Sequence, residues 1–305
     1  KVSPAQALWW AADRFRRVAL QPLDLCPPCD IQFIDYAKAV ISNDIITNPV
    51  DEQGYRPIML SVFHERGLCD CDYQPDQEMP EACLFREVMD QERLYFVYHD
   101  IERISRSRTA AYYFLSDNRR QLHIPPHQDV RVIDLYDAIK YGAGAERLPR
   151  EVVLEYTWQE IVPLTKTGEL DFGAWNGKVF TMDCGGTLVF DGRGNLLSWS
   201  RKPGTEHLTP EEARKLRKKT KPNKLEKALL EDLRVGEQRK QDLLTYLSRL
   251  IKQGLVGSPT AGSPFSETDK PITLVEEGDA IRLEMAPHLS SEDFEREEAE
   301  WLTNF

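Results

Sequence analysis

Two short cysteine pairs flank the opening helical region, and their spacing is the clearest sign of chemistry. Cys26-Pro-Pro-Cys29 precedes a predicted helical pair and Cys69-Asp-Cys71 follows it, so antiparallel helices could bring both pairs together. Four thiolates are a common ligand set for a tetrahedral structural zinc ion. The sequence leaves three interpretations open: a structural metal site, a redox pair, or ordinary thiols among which Cys26 is a packing residue.

Two histidine segments also carry residue types that serve in metal binding and acid–base chemistry. His64-Glu65 stands on a predicted helix, but Leu68 occupies the position, four residues on, where a second zinc-binding histidine would be needed. His123 and His127, followed by Asp129, flank two prolines, and these forbid the helix on which both rings could share a face. A loop site and an ordinary proline-stiffened connection both remain open for this segment.

Helical signals fill the first 68 residues. Ser3-Pro4-Ala5-Gln6 is a capping box that starts a helix, a second helix ends before Asn48-Pro49, and a third reaches Arg66 before the glycine cap Gly67. We predict that the second and third helices pair antiparallel. The first should pack on them through an apolar stripe with helical spacing. The members of that stripe are Leu8, Ala11, Ala12, Phe15, Val18 and Ala19.

The segment LDLCPPCDIQFIDYAKAVISNDIITNPVDEQGYRPIMLSVFHERGL, residues 23–68, resembles the last helices of bacterial thermolysin-like zinc metallopeptidases, the gluzincins. A weaker similarity to the same family occurs at Cys184-Gly-Gly-Thr-Leu-Val-Phe-Asp191 and at Ser198-Trp-Ser-Arg-Lys202, where such proteins carry a strand pair. Together these matches cover about a quarter of the chain. None of the matching residues is catalytic in that family.

The resemblance implies a protein whose reactive centre lies elsewhere. That family needs a helical His-Glu-x-x-His for zinc, with a further glutamate ligand, and this chain contains no such motif. The chain opens on Lys1 rather than methionine, so we interpret it as a fragment, a processed product or a truncated form. We expect the non-catalytic C-terminal part of a metallopeptidase-like protein, with zinc and the catalytic residues upstream or on a companion chain. The alternatives are a non-enzymatic protein–protein interaction or regulatory module, and a chance likeness within an unrelated interaction protein.

The middle of the chain favours antiparallel hairpins. Residues 152–158 and 130–133 are predicted strands, and a turn at 191–195 joins strands at 186–190 and 196–200. A second hairpin turn is predicted at 175–178, between Phe172 and Val179. Further predictions are a helix at 80–90, strands at 94–98 and 112–115, and a helix at 135–141. Gly185-Gly186 lacks a phosphate-loop pattern and is better explained by a bulge or a close backbone approach.

Beyond Pro203 the composition becomes strongly charged. Thr209-Pro-Glu-Glu212 predicts the start of a helix rich in arginine and lysine, whose basic run at 214–219 could contact nucleic acid or an acidic partner or simply be solvated. Leucine stripes predict one helix around 225–233 and another around 243–251. A linker at 257–264, a hairpin at 271–285 and an acidic tail at 290–300 complete the chain. We consider that the tail could dock on the basic run.

Composition limits the remaining possibilities. The net charge of −11 argues against a dedicated nucleic-acid binder, and no apolar run is long enough to predict a membrane span. Six cysteines in 305 residues are too few for a disulfide scaffold, which favours a cytoplasmic protein. We predict an α+β chain that binds a protein partner or substrate. Its segments are an N-terminal helical bundle at 1–75, an antiparallel-sheet α+β domain at 76–205, a helical extension at 206–256, and a linker, hairpin and acidic tail at 257–305.

Overall fold

The computed structural model describes residues 3–51, 54–68, 94–97, 100–142, 146–254, 256–257, 272–277 and 280–285. Within them the protein mixes helices with a largely antiparallel set of strands, which is compatible with the α+β class. The helices are α1 Pro4–Phe15, α2 Phe33–Thr47, α3 Tyr55–Glu65, α4 Ile101–Arg106, α5 Arg108–Asp117, α6 Pro210–Lys218 and α7 Lys224–Lys252. The strands are β1 Arg131–Ala138, β2 Glu151–Pro163, β3 Val179–Asp191, β4 Leu196–Lys202, β5 Val256–Gly257, β6 Ile272–Glu277 and β7 Ala280–Met285. None of the helices in the described ranges is both long and apolar enough to cross a membrane.

The chain divides into two compact units. The first contains Lys1–Gln159 and Asp183–Gly236, and the second contains Glu160–Met182 and Glu237–Phe305. In the first unit β1 pairs antiparallel with β2, β2 neighbours β3, and β3 pairs antiparallel with β4. Strands β2 and β3 bury most of their side chains, including successive residues on opposite faces of the sheet.

The second unit contains β5, β6 and β7, the first residues of β3 and the later turns of α7. Strand β7 pairs antiparallel with β6 and parallel with the first residues of β3, while β5 pairs parallel with β6. Ser248 of α7 exchanges hydrogen bonds with the backbone of Asp171, donating to its carbonyl at 2.9 Å and accepting from its N–H at 3.0 Å. This exchange fixes the end of α7 against the loop between β2 and β3.

In the first unit, capping residues, prolines and glycines determine where most helices begin and end. The Thr209 capping box starts α6, α2 ends at Thr47 before the proline, and Gly67 closes α3 at φ +67°. Helices α2 and α3 pack together through Ile41 and Leu60, as the sequence predicted. These predictions are therefore confirmed.

Several predictions of secondary structure are wrong because tertiary contacts outweigh local propensity. Residues 112–115 are not a strand but part of α5, which the Ser107 side chain caps by accepting from the N–H of Ala110. Residues 135–138 are not helical, since they continue β1 opposite β2, with Leu135 beside Leu154.

Two further segments differ from the prediction. Residues 94–97 form no strand, and Phe172 lies in the loop before the predicted turn rather than in a strand. The two predicted leucine-striped helices are one continuous helix, α7. The predicted helix at 80–90, the linker at 257–264 and the acidic tail lie outside the described residues.

Candidate functional site

The two segments that carry the family resemblance pack against each other in the first unit. The Lys202 ammonium on β4 lies 2.5 Å from the Asp35 carboxylate on α2, and both side chains are largely buried. The Thr187 hydroxyl on β3 donates to the backbone carbonyl of Cys26 at 2.7 Å. Asp35 also accepts from the N–H of Gln32, so one carboxylate both caps α2 and anchors it to the sheet.

Glycines on β3 allow a close approach of residues from the neighbouring strands β2 and β4. A Cβ at Gly185 would lie 2.2 Å from the carbonyl oxygen of Tyr156, and one at Gly186 would lie 2.8 Å from that of Ser200. The predicted close backbone approach at Gly185-Gly186 is therefore confirmed. The Tyr156 hydroxyl, beside Gly186, accepts a hydrogen bond from the Trp199 indole at 3.0 Å.

A polar centre lies on the same unit, where β4 meets the first turns of α7. The Asp232 carboxylate accepts two hydrogen bonds from the Arg201 guanidinium, at 2.6 and 2.7 Å, and lies 2.5 Å from Nδ1 of His123. The His123 and Asp232 side chains are 3% and 4% exposed, so they are closed to solvent. His123 has a left-handed backbone at φ +55°, which is uncommon for a residue with a side chain.

The charges in the polar centre are fixed by this geometry. Burial lowers the pKa of His123, and the contact with Asp232 offsets burial only in part, so the ring is neutral and its Nδ1–H donates to the carboxylate. Burial alone would raise the pKa of Asp232, but the Arg201 charge and the hydrogen bonds from His123 and Arg201 outweigh burial and lower it. The centre therefore holds one ionised carboxylate, one guanidinium and one neutral imidazole.

Aromatic rings complete the surroundings of His123. The His207 ring stacks on it with centroids 5.8 Å apart, and the Trp199 ring meets it edge-on at 5.5 Å. The Nε2–H of His207 donates to the backbone carbonyl of Leu229 at 2.9 Å, which ties the loop after β4 to α7. The charges of Arg201 and Asp232 are paired, whereas the Nδ1 of His207 is buried without a hydrogen-bond partner.

The structure places the two histidines that the sequence analysis identified, His123 and His127, in different surroundings. His123 enters the polar centre, whereas His127 is exposed and lies 2.9 Å from the Glu206 carboxylate. Asp129 is exposed. The sequence did not point to Asp232 or Arg201 as partners of His123. The only local sign was an acidic residue beside the apolar stripe of α7.

The cysteines differ in their surroundings. Cys26 is buried in a cluster with Leu25, Val153 and Val189, and burial followed by the charges of Asp35 and Asp24 raises the pKa of its thiol to about 11. Such an environment favours the thiol over the thiolate, so Cys26 fits a packing residue better than a zinc ligand or a reactive redox thiol. Both Cys26 and Cys29 are free thiols, and the Cys29 S–H donates to the carbonyl of Asp183 at 3.6 Å. Cys69 and Cys71 lie outside the described residues.

His64 and Glu65 stand at the exposed end of α3, in the last turn before Gly67 reverses the chain. Across the described ranges, no group of three or more His, Cys, Asp or Glu side chains is arranged to hold a metal ion.

The opening helices expose large apolar side chains. Leu8, Trp9 and Phe15 on α1 are 72%, 53% and 64% exposed, and Ile58 and Val62 on α3 are 58% and 43% exposed. We call these five residues the apolar helical surface. The prediction that the α1 stripe packs on the helical pair is wrong for Leu8 and Phe15, because α1 meets α3 through a polar contact instead. That contact places the Arg14 guanidinium 3.9 Å above the Tyr55 ring.

Helical geometry groups these side chains. Leu8 and Phe15 are seven residues apart and share one face of α1, while Ile58 and Val62 are four apart and share one face of α3. More large apolar side chains are exposed on the chain that joins α1 to α2 and at the start of α2: Leu20, Leu23, Ile31 and Phe33. Large exposed apolar patches are typical of interaction surfaces on soluble proteins.

No protein-family model, no curated protein and no solved structure matches this chain.

Proposed function

We propose that this chain is the non-catalytic C-terminal part of a zinc metallopeptidase-like protein, in which a zinc site outside these residues hydrolyses peptide bonds. In this proposal the opening helices present the apolar helical surface to the polypeptide that carries the zinc. The remaining regions regulate or target the enzyme.

The observation that carries the proposal is the exposure of the apolar helical surface. Full burial of one large apolar side chain contributes about 1.5–3 kcal/mol, so leaving several of them in water forgoes a substantial stabilisation. Phe33, at the start of α2, is 82% exposed and would gain most from a covering partner. Helix α3, which carries Ile58 and Val62, and the start of α2 at Phe33 lie within the segment 23–68 that resembles the gluzincins, which supports a partner that carries a zinc site.

A second candidate function is a non-enzymatic interaction or regulatory module. The same exposed surface favours it, because a protein partner without a zinc site could cover these side chains equally well. The two candidates differ in whether the covering polypeptide contains His-Glu-x-x-His and cleaves peptides.

The test uses the full-length protein in which this chain lies, together with any companion chain that copurifies with it. We expect one zinc ion per complex by metal analysis and cleavage of an unstructured protein such as casein. A complex without zinc and without cleavage would eliminate the enzyme reading and leave the interaction module.

Surface variants test the contact itself. Phe15→Glu combined with Ile58→Glu should weaken the association or lower peptidase activity, because both side chains would be buried in the complex. The matched control is Ile133→Glu with Ile139→Glu, since these residues are 45% and 46% exposed outside the opening helices. Equal behaviour of the two double variants would show that the apolar helical surface is not the contact.

A further inference from the structure

Helix α6 and the connection after it carry a dense group of exposed cations. The exposed basic side chains in this region are Arg214, Lys215, Arg217, Lys218, Lys219 and Lys221. Arg214 and Lys218 are four residues apart on α6, and Lys215 and Lys218 are three apart, so like charges lie next to each other on one face. Such neighbours repel, and an anionic partner would relieve that repulsion.

Helix α6 holds this face rigidly toward solvent. The Thr209 hydroxyl accepts from the N–H of Glu212, and the Glu212 carboxylate accepts from the N–H of Thr209, so the helix starts with a complete capping box. Ala213 is buried, so the opposite side of α6 faces solvent. Arg214, Lys215, Arg217 and Lys218 are thus presented on a formed helix, whereas Lys219 and Lys221 lie in the connection after it.

Of the acids nearby, Glu212 and Glu226 are already engaged, whereas Glu211 is exposed on the first turn of α6. The Glu212 carboxylate serves the cap, and the Glu226 carboxylate accepts from Lys219 at 2.8 Å and from the N–H of Asn223 at 2.9 Å. In the part of the chain that the structure describes, no ion pair engages Arg214, Lys218 or Lys221. We call Arg214, Lys215, Lys218 and Lys221 the basic surface, whose four positive charges outnumber the neighbouring carboxylates of Glu211 and Glu212.

We infer that the basic surface binds an acidic segment of a partner protein. A protein segment fits better than nucleic acid because no aromatic residue occurs between positions 208 and 245 to stack on a base, and the Asn223 side chain already caps α7. The chain also has a net charge of −11, which repels a long phosphate backbone but tolerates a short acidic peptide on one local basic face. This inference is independent of the proposed peptidase relationship.

Fluorescence anisotropy with the full chain tests this inference. The probe is a fluorescein-labelled peptide of twelve glutamates, and the rival probe is a labelled 20-base-pair DNA duplex. We expect saturable binding of the peptide that weakens as salt rises from 50 to 300 mM, because exposed charges are screened. The triple variant Arg214→Glu, Lys215→Glu and Lys218→Glu should bind the peptide at least tenfold more weakly.

The matched control reverses the same number of charges at exposed basic residues elsewhere: Arg66→Glu, Arg103→Glu and Arg193→Glu. Circular dichroism and thermal melting verify that both triple variants remain folded. The control should bind the peptide nearly as well as the parent chain. Tighter binding of the duplex than of the peptide, absence of peptide binding, or equal losses in both triple variants would each overturn the inference.

Discussion

Gly236 on α7 lies directly against Gly204 in the loop after β4, so closely that a Cβ at residue 236 would meet the Gly204 carbonyl oxygen at 2.1 Å. This approach explains why α7 can place Asp232, one helical turn earlier on the same face, beside Arg201. The contact is made by backbone atoms, which cannot move aside as a flexible side chain can.

Replacing that glycine with alanine should therefore destabilise the protein. Gly→Ala within a helix ordinarily gains about 1 kcal/mol. Here we expect Gly236→Ala to lower the free energy of unfolding by about 1–3 kcal/mol, because the methyl group overpacks a rigid contact. Urea denaturation measures the change, with the exposed Gln238→Ala on the same helix as control. A stabilised Gly236→Ala variant would contradict the close approach.

The Asp232 carboxylate should be essential for stability. Asp232→Asn removes the negative charge that neutralises the Arg201 guanidinium, and breaking a buried pair from one side typically costs about 3–5 kcal/mol. Denaturant titration of the variant should show this loss. The control is Glu231→Gln, whose carboxylate pairs with Arg234 in solvent and should change the unfolding midpoint little. Similar losses at both positions would argue against a buried centre.

The neutral state of His123 predicts how stability depends on pH. Its folded pKa lies below the ordinary 6.5, so below pH 6.5 the unfolded chain binds a proton that the folded chain does not. Unfolding free energy should then fall on acidification by up to about 1.4 kcal/mol per pH unit from this group. Asp232, whose folded pKa is also lowered, adds a further loss as the pH falls below its ordinary 3.8.

His123→Gln isolates the first of these contributions. We expect a flatter dependence of unfolding free energy on pH between 7 and 5 than in the parent chain. His64→Gln, at the exposed end of α3, is the matched substitution away from the polar centre. Identical slopes in the parent and His123→Gln proteins would show that His123 does not titrate with unfolding.

Unlike the Asp232 carboxylate, the ionised Glu155 carboxylate should destabilise the folded protein. Burial, followed by the charges of Asp134 and Asp24, raises its pKa, so the ionised form is unfavourable in the folded protein. Glu155→Gln should raise the thermal midpoint at pH 8, and the gain should shrink as the pH approaches 5 and the parent carboxyl takes up its proton. Glu65→Gln is the exposed control. A lower midpoint in Glu155→Gln at pH 8 would contradict the crowding of acids around Glu155.

Local physical signals were sufficient for elements whose ends are set by nearby residues. Thr209 and Glu212 cap α6 through two reciprocal hydrogen bonds, and both residue types stand at the spacing that such a cap requires. Gly185 and Gly186 were predicted to allow close approach because no other residue type has so little bulk. The strand predicted at Tyr112 and Phe114 was wrong. Aromatic residues favour strands, but a side-chain cap and buried neighbours at helical spacing stabilise the helix α5 instead.

The polar centre could not be predicted in the same way. Arg201 and Asp232 lie 31 positions apart, and His123 and Asp232 lie 109 apart, so no local pattern relates them. The exposure of Leu8 and Phe15 also could not be predicted from the sequence. An apolar stripe indicates that one face of a helix becomes buried, but it does not indicate which surface covers that face.

Assembly of the first unit from two separated chain segments has a consequence for synthesis. Its last residues are at Gly236, so a nascent chain leaving the ribosome exposes α1, α2 and the strands well before the first turns of α7 arrive. Until then Arg201 and His123 have no carboxylate from α7 to receive their hydrogen bonds. The unit can close only after the residues up to Gly236 have been synthesised.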